Sequence, residues 1–193
     1  MKISDDVLAG IQESFLVFSA LHDPGTEDHS ERTSRLCVRL ADRIGMSIQD
    51  IENLRIASIF HDIGKVGVDA HVLNKPGELN DGEWAMVRMH PIFGCKILKP
   101  LELNADVRHC IRWHHENYDG SGYPDGLKAD HIPLAARIIR IIDTYDALTN
   151  VRPYRPKYPI KIAMEILWQY QHNFDPLLLD RFQRMLEEES KNV

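Results

Sequence analysis

His61-Asp62-Ile63-Gly64-Lys65 closes an apolar helical run, Ile51 to Phe60, and the fold turns on how this stretch is read. A histidine and an aspartate at the end of a core helix are costly to bury unless something pairs with both. A metal ion is the most economical partner for a neutral imidazole and a carboxylate together. A His-Asp dipeptide alone proves little, so the reading rests on whether the rest of the chain supplies further ligands.

Upstream, residues 4–21 read as a helix capped by Ser4, with Val7, Leu8, Ile11, Phe15 and Phe18 at helical spacing. That apolar surface either joins the chain's own core or meets a second copy, and 1–22 is taken as part of the same domain as 23–193. After a break at Asp23-Pro24-Gly25-Thr26, Leu36, Leu40 and Ile44 form the stripe of a second helix ended by Gly45, and counting back along its face reaches His29. Ser47 with Asp50 resembles a capping box for the helix whose stripe, Ile51, Leu54 and Ser58, leads to His61.

Downstream, Gly64 stands where a helix C-terminus wants a glycine, and 66–76 reads as a connector. Asn80 with Glu83 caps a helix in which Trp84, Val87 and His90 share a face, and Pro91 then forces a bend. A short helix runs to Leu98, stopped by Pro100, and 105–115 form the next, with Val107, Cys110, Ile111 and His114 as one stripe and His115 beside it. Three glycines and a proline between Asn117 and Gly126 make a shaped loop. Pro133 starts a helix apolar on most sides, with Ile138, Ile139, Ile141 and Ile142 leading into Asp143 and Asp146. A basic, proline-punctuated loop carries Arg152, Arg155 and Lys157, and amphipathic helices at 160–171 and 176–190 close the chain. With no convincing strand, the architecture reads as all-α.

Composition narrows the setting. With 193 residues, 44% apolar and 27% charged, the chain is sized for one globular domain. No run reaches the length of a membrane span, and the N-terminus lacks the layout of a secretory signal. Cys37, Cys95 and Cys110 fall in no Cys-x-x-Cys spacing, which suits a reduced, cytoplasmic protein. A net charge of -6 argues against a nucleic-acid polymer as partner and leaves room for a local basic pocket.

The polar residues that end apolar helices are His29, His61, Asp62, His90, His114, His115 and Asp143. Singly, each histidine is better explained as a satisfied core residue. Together, that many buried ionisable groups are very expensive without a metal. Seven ligands exceed the needs of one tetrahedral ion, so two divalent ions sharing a carboxylate fit better, with Asp62 as the natural bridge. Mixed nitrogen and oxygen ligation suits iron, manganese or zinc, and the lack of thiolates weakens a structural zinc reading. Lys65, about one turn beyond, is placed to hold a phosphate or protonate a leaving alkoxide, or is a solvated helix-end charge.

His61-Asp62 with His29 upstream and Asp143 downstream resembles the HD phosphohydrolase superfamily. His90-Pro91, His114-His115-Glu116, Gly122-Tyr123-Pro124 and Arg152-Pro153-Tyr154-Arg155 resemble its HD-GYP branch, the bacterial cyclic di-GMP phosphodiesterases. The resemblance runs from about Asp23 to Asp175 and makes 23–193 the catalytic domain of an HD-domain helical bundle with a metal centre in its core. It implies hydrolysis of cyclic di-GMP to linear pGpG or GMP by a metal-bound hydroxide, with non-haem iron or manganese in the centre. It places metal ligands at His29, His61, Asp62, His90, His114, His115 and Asp143, a phosphate contact at Lys65, and pocket-lining roles at Tyr123, Arg152 and Arg155. Some members carry a glutamate one turn before the first histidine for a third ion; here that position is Gly25, so two ions are expected. The same residues leave open another cyclic dinucleotide or nucleotide as substrate, or a silent binding module that meets a signalling protein through the Gly122-Tyr123-Pro124 loop.

Overall fold

A computed structural model describes residues 5–22, 26–150 and 157–191. Among them there are helices and turns and no strand. Ten α-helices follow in order: α1 Asp5–His22, α2 Thr26–Arg43, α3 Ile48–Phe60, α4 Ala70–Leu73, α5 Asp81–Val87, α6 His90–Leu98, α7 Ala105–Trp113, α8 Leu134–Thr149, α9 Ile160–Gln169 and α10 Pro176–Ser190. No described helix is long and apolar enough to cross a membrane.

The centre is α8, which contacts α2, α3, α7, α9 and α10. Ile138, Ile139, Ile141 and Ile142 have no exposed surface, and burying each contributes about 1.5–3 kcal/mol. α2 lies along both α3 and α8, α3 leans on α7, and α6 bridges α7 and the 3-10 turn Ile63–Gly67. α1 packs on α2, and its Phe15 ring meets Phe60 at a centroid distance of 5.4 Å. Val7 and Phe18 point outward beside Val17, because only one side of α1 is covered.

Several helix ends are written in the sequence as expected. Gly45 and Met46 turn back to bond Asp42 O and Ala41 O, closing α2. Asn80 and Glu83 make both bonds of a capping box. The Ser47 hydroxyl accepts from Asp50 N, but the Asp50 carboxylate takes the serine hydroxyl rather than the Ser47 backbone, so only half of that box forms. Ser4 and Gly25 lie outside the described residues.

Three expectations are corrected. The 66–76 connector contains a helical turn, α4, capped by Asp69. His90 does not share a helix with Trp84 and Val87: α5 ends at Val87, and His90 opens α6 with Pro91 in its first turn, where no N–H is needed. Gly64 is not a C-terminal cap. It sits in the 3-10 turn against α6, and a Cβ there would stand 1.8 Å from His90 O and 2.5 Å from Gly94 N. Bare backbone at position 64 lets α6 approach the His61-Asp62 pair.

Candidate metal centre

The histidines finish or open helices for a local reason. The last carbonyls of a helix have no intrahelical donor. His61 Nδ1 meets Ser58 O at 2.7 Å and His114 Nδ1 meets Ile111 O at 2.8 Å, each three residues back. His90 Nδ1 meets Val87 O at 2.8 Å, the carbonyl that Pro91, lacking an N–H, cannot serve. A carbonyl only accepts, so each Nδ1 carries the hydrogen and each Nε2 turns its lone pair inward. His29, near the start of α2, has a carboxylate in that role: Asp146 Oδ2 is 2.7 Å from its Nδ1.

The seven residues meet in two groups, Asp62 with His90, His114 and His115, and His29 with His61 and Asp143; within each, donor atoms lie within 4.8 Å of one another. His90 Nε2 faces His114 Nε2 at 3.2 Å, and His29 Nε2 faces His61 Nε2 at 3.3 Å. Two nitrogens bound about 2.1 Å from one ion stand roughly 3.0–3.4 Å apart. Asp62 divides its oxygens between the groups. Oδ1 is 3.3 Å from His90 Nε2 and 4.0 Å from His114 Nε2, while Oδ2 is 3.4 Å from His61 Nε2 and 3.9 Å from His29 Nε2. Asp143 Oδ1 is 3.3 Å from His29 Nε2, and Lys65 Nζ donates to Asp62 Oδ2 at 2.6 Å.

The electrostatics suit cation binding. Burial pushes the His90 pKa down to about 4 and holds His114 and His115 well below the usual imidazole range, leaving them neutral. Burial alone would raise Asp62 and Asp143. The charge of Lys65, the largest of the opposing effects, helps outweigh it at Asp62, as the His29 hydrogen bond does at Asp143, and both stay well below the usual carboxylate range. At His29 burial lowers the pKa, but hydrogen bonds to Asp143 and Asp146 outweigh it and hold it up to about 9, so a cation at Nε2 displaces a proton. Neutral imidazoles with converging lone pairs beside ionised carboxylates are a donor set that fits divalent metal.

The loop beyond His115 is tied down on the same side. Glu116, buried, accepts from Asp125 N, Gly126 N and Leu127 N at 2.8, 3.1 and 3.0 Å. Asp125 in turn accepts two hydrogen bonds from Arg112 and one from Trp113 Nε1, all at 2.7 Å. This places Tyr123 flat on His115, with ring centroids 4.8 Å apart, and Arg88 lies over the tyrosine ring at 5.7 Å.

The family model described as an HD domain matches residues 18–178, which take in all seven clustered residues. The chain belongs to the HD domain family. This HD domain is 36% identical, over 84% of its length and 44% of the relative's, to the cyclic di-GMP phosphodiesterase response regulator RpfG of Xanthomonas campestris. It is 37% identical to the 3'3'-cGAMP-specific phosphodiesterase 3 of Vibrio cholerae, covering 91% of this chain and 38% of that one. It thus spans less than half the length of these relatives. A crystal structure of a cyclic GMP-AMP specific phosphodiesterase from V. cholerae shares the fold, with a TM-score of 0.72 over 93% of this chain and 49% of that one at 19% identity.

Within the HD domain, Arg152 and Arg155 lie outside the described residues. His71, His109, His131 and His172 are exposed and belong to neither group. Sequence reasoning gave no role to Asp146, which bonds His29 and also accepts Arg32 Nε at 2.8 Å, Arg32 Nη2 at 3.0 Å and Asn150 Nδ2 at 2.9 Å. It also gave none to Glu116 or to Arg140 of α8. The available signals were an acid one turn past Asp143 and an arginine set between two isoleucine pairs on a buried helix.

Proposed function

We propose that this HD domain hydrolyses cyclic di-GMP to linear pGpG or GMP at a pair of divalent ions. His29, His61 and Asp143 would hold one ion and His90, His114 and His115 the other, with Asp62 offering an oxygen to each group. The observation that carries this reading is the division of the Asp62 oxygens between two groups of converging donors. Such ions supply an acidified water and neutralise charge on the phosphoryl oxygens. Thiol-free nitrogen and oxygen ligation supports iron or manganese, and zinc is compatible with the same set.

Lys65, already against Asp62, is positioned to hold the scissile phosphate and to give a proton to the departing ribose oxygen. Tyr123 offers an aromatic face for a base, and Arg152 and Arg155 are assigned to the pocket by family resemblance alone. Its stack on His115 supports a fixed orientation. Glu116 and Asp125 orient the loop rather than touch substrate. A mixed cyclic dinucleotide is the second reading, supported by the relative named for 3'3'-cGAMP. Free cysteines, with Cys37 and Cys110 buried, support a reducing, cytoplasmic setting, and the outward apolar side of α1 supports self-association. A signalling partner at the Gly122-Tyr123-Pro124 loop belongs to the same proposal.

Anaerobic purification, metal quantification and chromatography of cyclic di-GMP and 3'3'-cGAMP beside an Asp62→Ala control test the proposal. The expected result is about two metals per chain and turnover lost in Asp62→Ala. Turnover that survives Asp62→Ala overturns the mechanism, and full metal with tight binding and no turnover points to a binding module.

A further inference from the structure

Arg140 stands one turn before Asp143 on α8; the Asp143 charge acts on it from a distance, and the groups it touches directly are neutral. Its Nε donates to Asn117 Oδ1 at 2.9 Å and its Nη1 to Thr144 Oγ1 at 2.7 Å, and the guanidinium lies 5.5 Å over the Phe174 ring. Arg32, Arg55, Arg112 and Arg137 each meet a carboxylate, on Asp146, Glu52, Asp125 and Asp175. Among the described residues Arg140 meets none within 4.0 Å, and its Nη2 has no acceptor. A part-buried guanidinium whose hydrogen-bond partners are all neutral is expensive, and burial lowers its pKa against the opposing charge of Asp143.

Its place makes this cost informative. Asn117, which holds Nε, packs its backbone against Gly122, where a Cβ would come within 2.2 Å of Asn117 N. Arg140 therefore sits under the loop that carries Tyr123. We infer that Arg140 is a substrate-binding residue that donates from its open edge to a phosphate oxygen of the cyclic dinucleotide. The inference rests on the proposed function and adds a residue to it. Two of the three guanidinium nitrogens are fixed by Asn117 and Thr144, so the fork is pre-oriented and little side-chain entropy is lost when an anion arrives.

The test compares wild type, Arg140→Gln and Arg140→Lys. Calorimetric binding of cyclic di-GMP to chelator-treated protein should weaken about tenfold to a hundredfold in Arg140→Gln, the range for losing a charge-assisted hydrogen bond. Arg140→Lys, which keeps charge and loses the fork, should fall between. In manganese-loaded protein KM should rise by a similar factor with kcat within about threefold, and the melting temperature should hold or rise because an uncompensated charge is gone. Cyclic di-GMP affinity within twofold of wild type in Arg140→Gln overturns the inference. So does a melting temperature lowered in both variants with KM unchanged, which makes Arg140 a structural residue. If wild type neither binds nor cleaves cyclic di-GMP or 3'3'-cGAMP, the proposed function fails. Arg140 is then judged by its Nε–H resonance in ¹⁵N-labelled protein titrated with inorganic phosphate, where a saturable shift supports it and no shift overturns it.

Discussion

Asp146 never faces the converging nitrogens, yet it fixes which nitrogen of His29 does. Its Oδ2 takes the Nδ1 proton, and Arg32 and Asn150 hold the carboxylate in turn. Removing such a partner typically costs 10- to 100-fold in metal affinity. Asp146→Asn should therefore weaken manganese binding by about that factor in a competition titration while the far-ultraviolet circular dichroism stays unchanged. Asp125 allows a pH test away from the cluster. Its bonds to Arg112 and Trp113 lower its pKa, so the folded state binds the proton less readily than the unfolded chain. The stability it adds is present above the ordinary carboxylate pKa, about 3.9, and is lost as pH falls through the lower folded value. The melting-temperature advantage of wild type over Asp125→Asn should be constant from about pH 5 to 7 and shrink below about pH 4. At this scale the sequence reveals donors better than their supports. His61 and His114 are legible because apolar stripes point straight at them, whereas Asp146 lies 117 positions from His29 and no periodicity links the two.

The elements deliver the site through their ends. α3, α6 and α7 each place a histidine where a helical carbonyl lacks a backbone donor, so the imidazole completes the helix and faces the core at once. Helix existence was legible from stripes and caps, as at Asn80 and Glu83. The break before His90 was not, because Trp84, Val87 and His90 keep helical spacing across it and Pro91 is equally at home at a bend and in a first turn. Gly64 was misread for a related reason: sequence shows a glycine after a helix, while its purpose is set by α6 arriving from about thirty residues on. Gly64→Ala should cost about 3 kcal/mol or more in urea unfolding, since the obstructing atoms are backbone. It should also lower metal content, because the same displacement carries His90 away from Asp62. A full metal complement in a destabilised Gly64→Ala protein would separate the two effects and refute the link.

Across the whole molecule, the described helices enclose one core around α8, and the cluster sits where α2, α3, α6, α7 and α8 converge. The all-α architecture was legible because every long segment repeats with helical period and none alternates. How the seven residues divide was not, since that depends on helix crossings which periodicity does not encode. Because the donors come from five elements, a bound cation ties those elements together and binds the unfolded chain poorly. Chelation should lower the melting temperature, and manganese at about a hundred times its dissociation constant should restore roughly 2.7 kcal/mol for each site. A melting temperature indifferent to chelator and to added manganese would argue that the cluster holds no ion.

The split of Asp62 between two groups has a consequence for loading. With one carboxylate placed against both groups, an ion held through Oδ2 would draw charge from Oδ1 and alter what a second ion finds. Two ions held there would be thermodynamically linked, and whatever factor one imposed on the affinity of the other it would receive back in equal measure. Titrations should follow a two-site isotherm with interaction, and Asp62→Asn, which keeps one carbonyl oxygen and gives up the charge, should make the remaining binding steps independent.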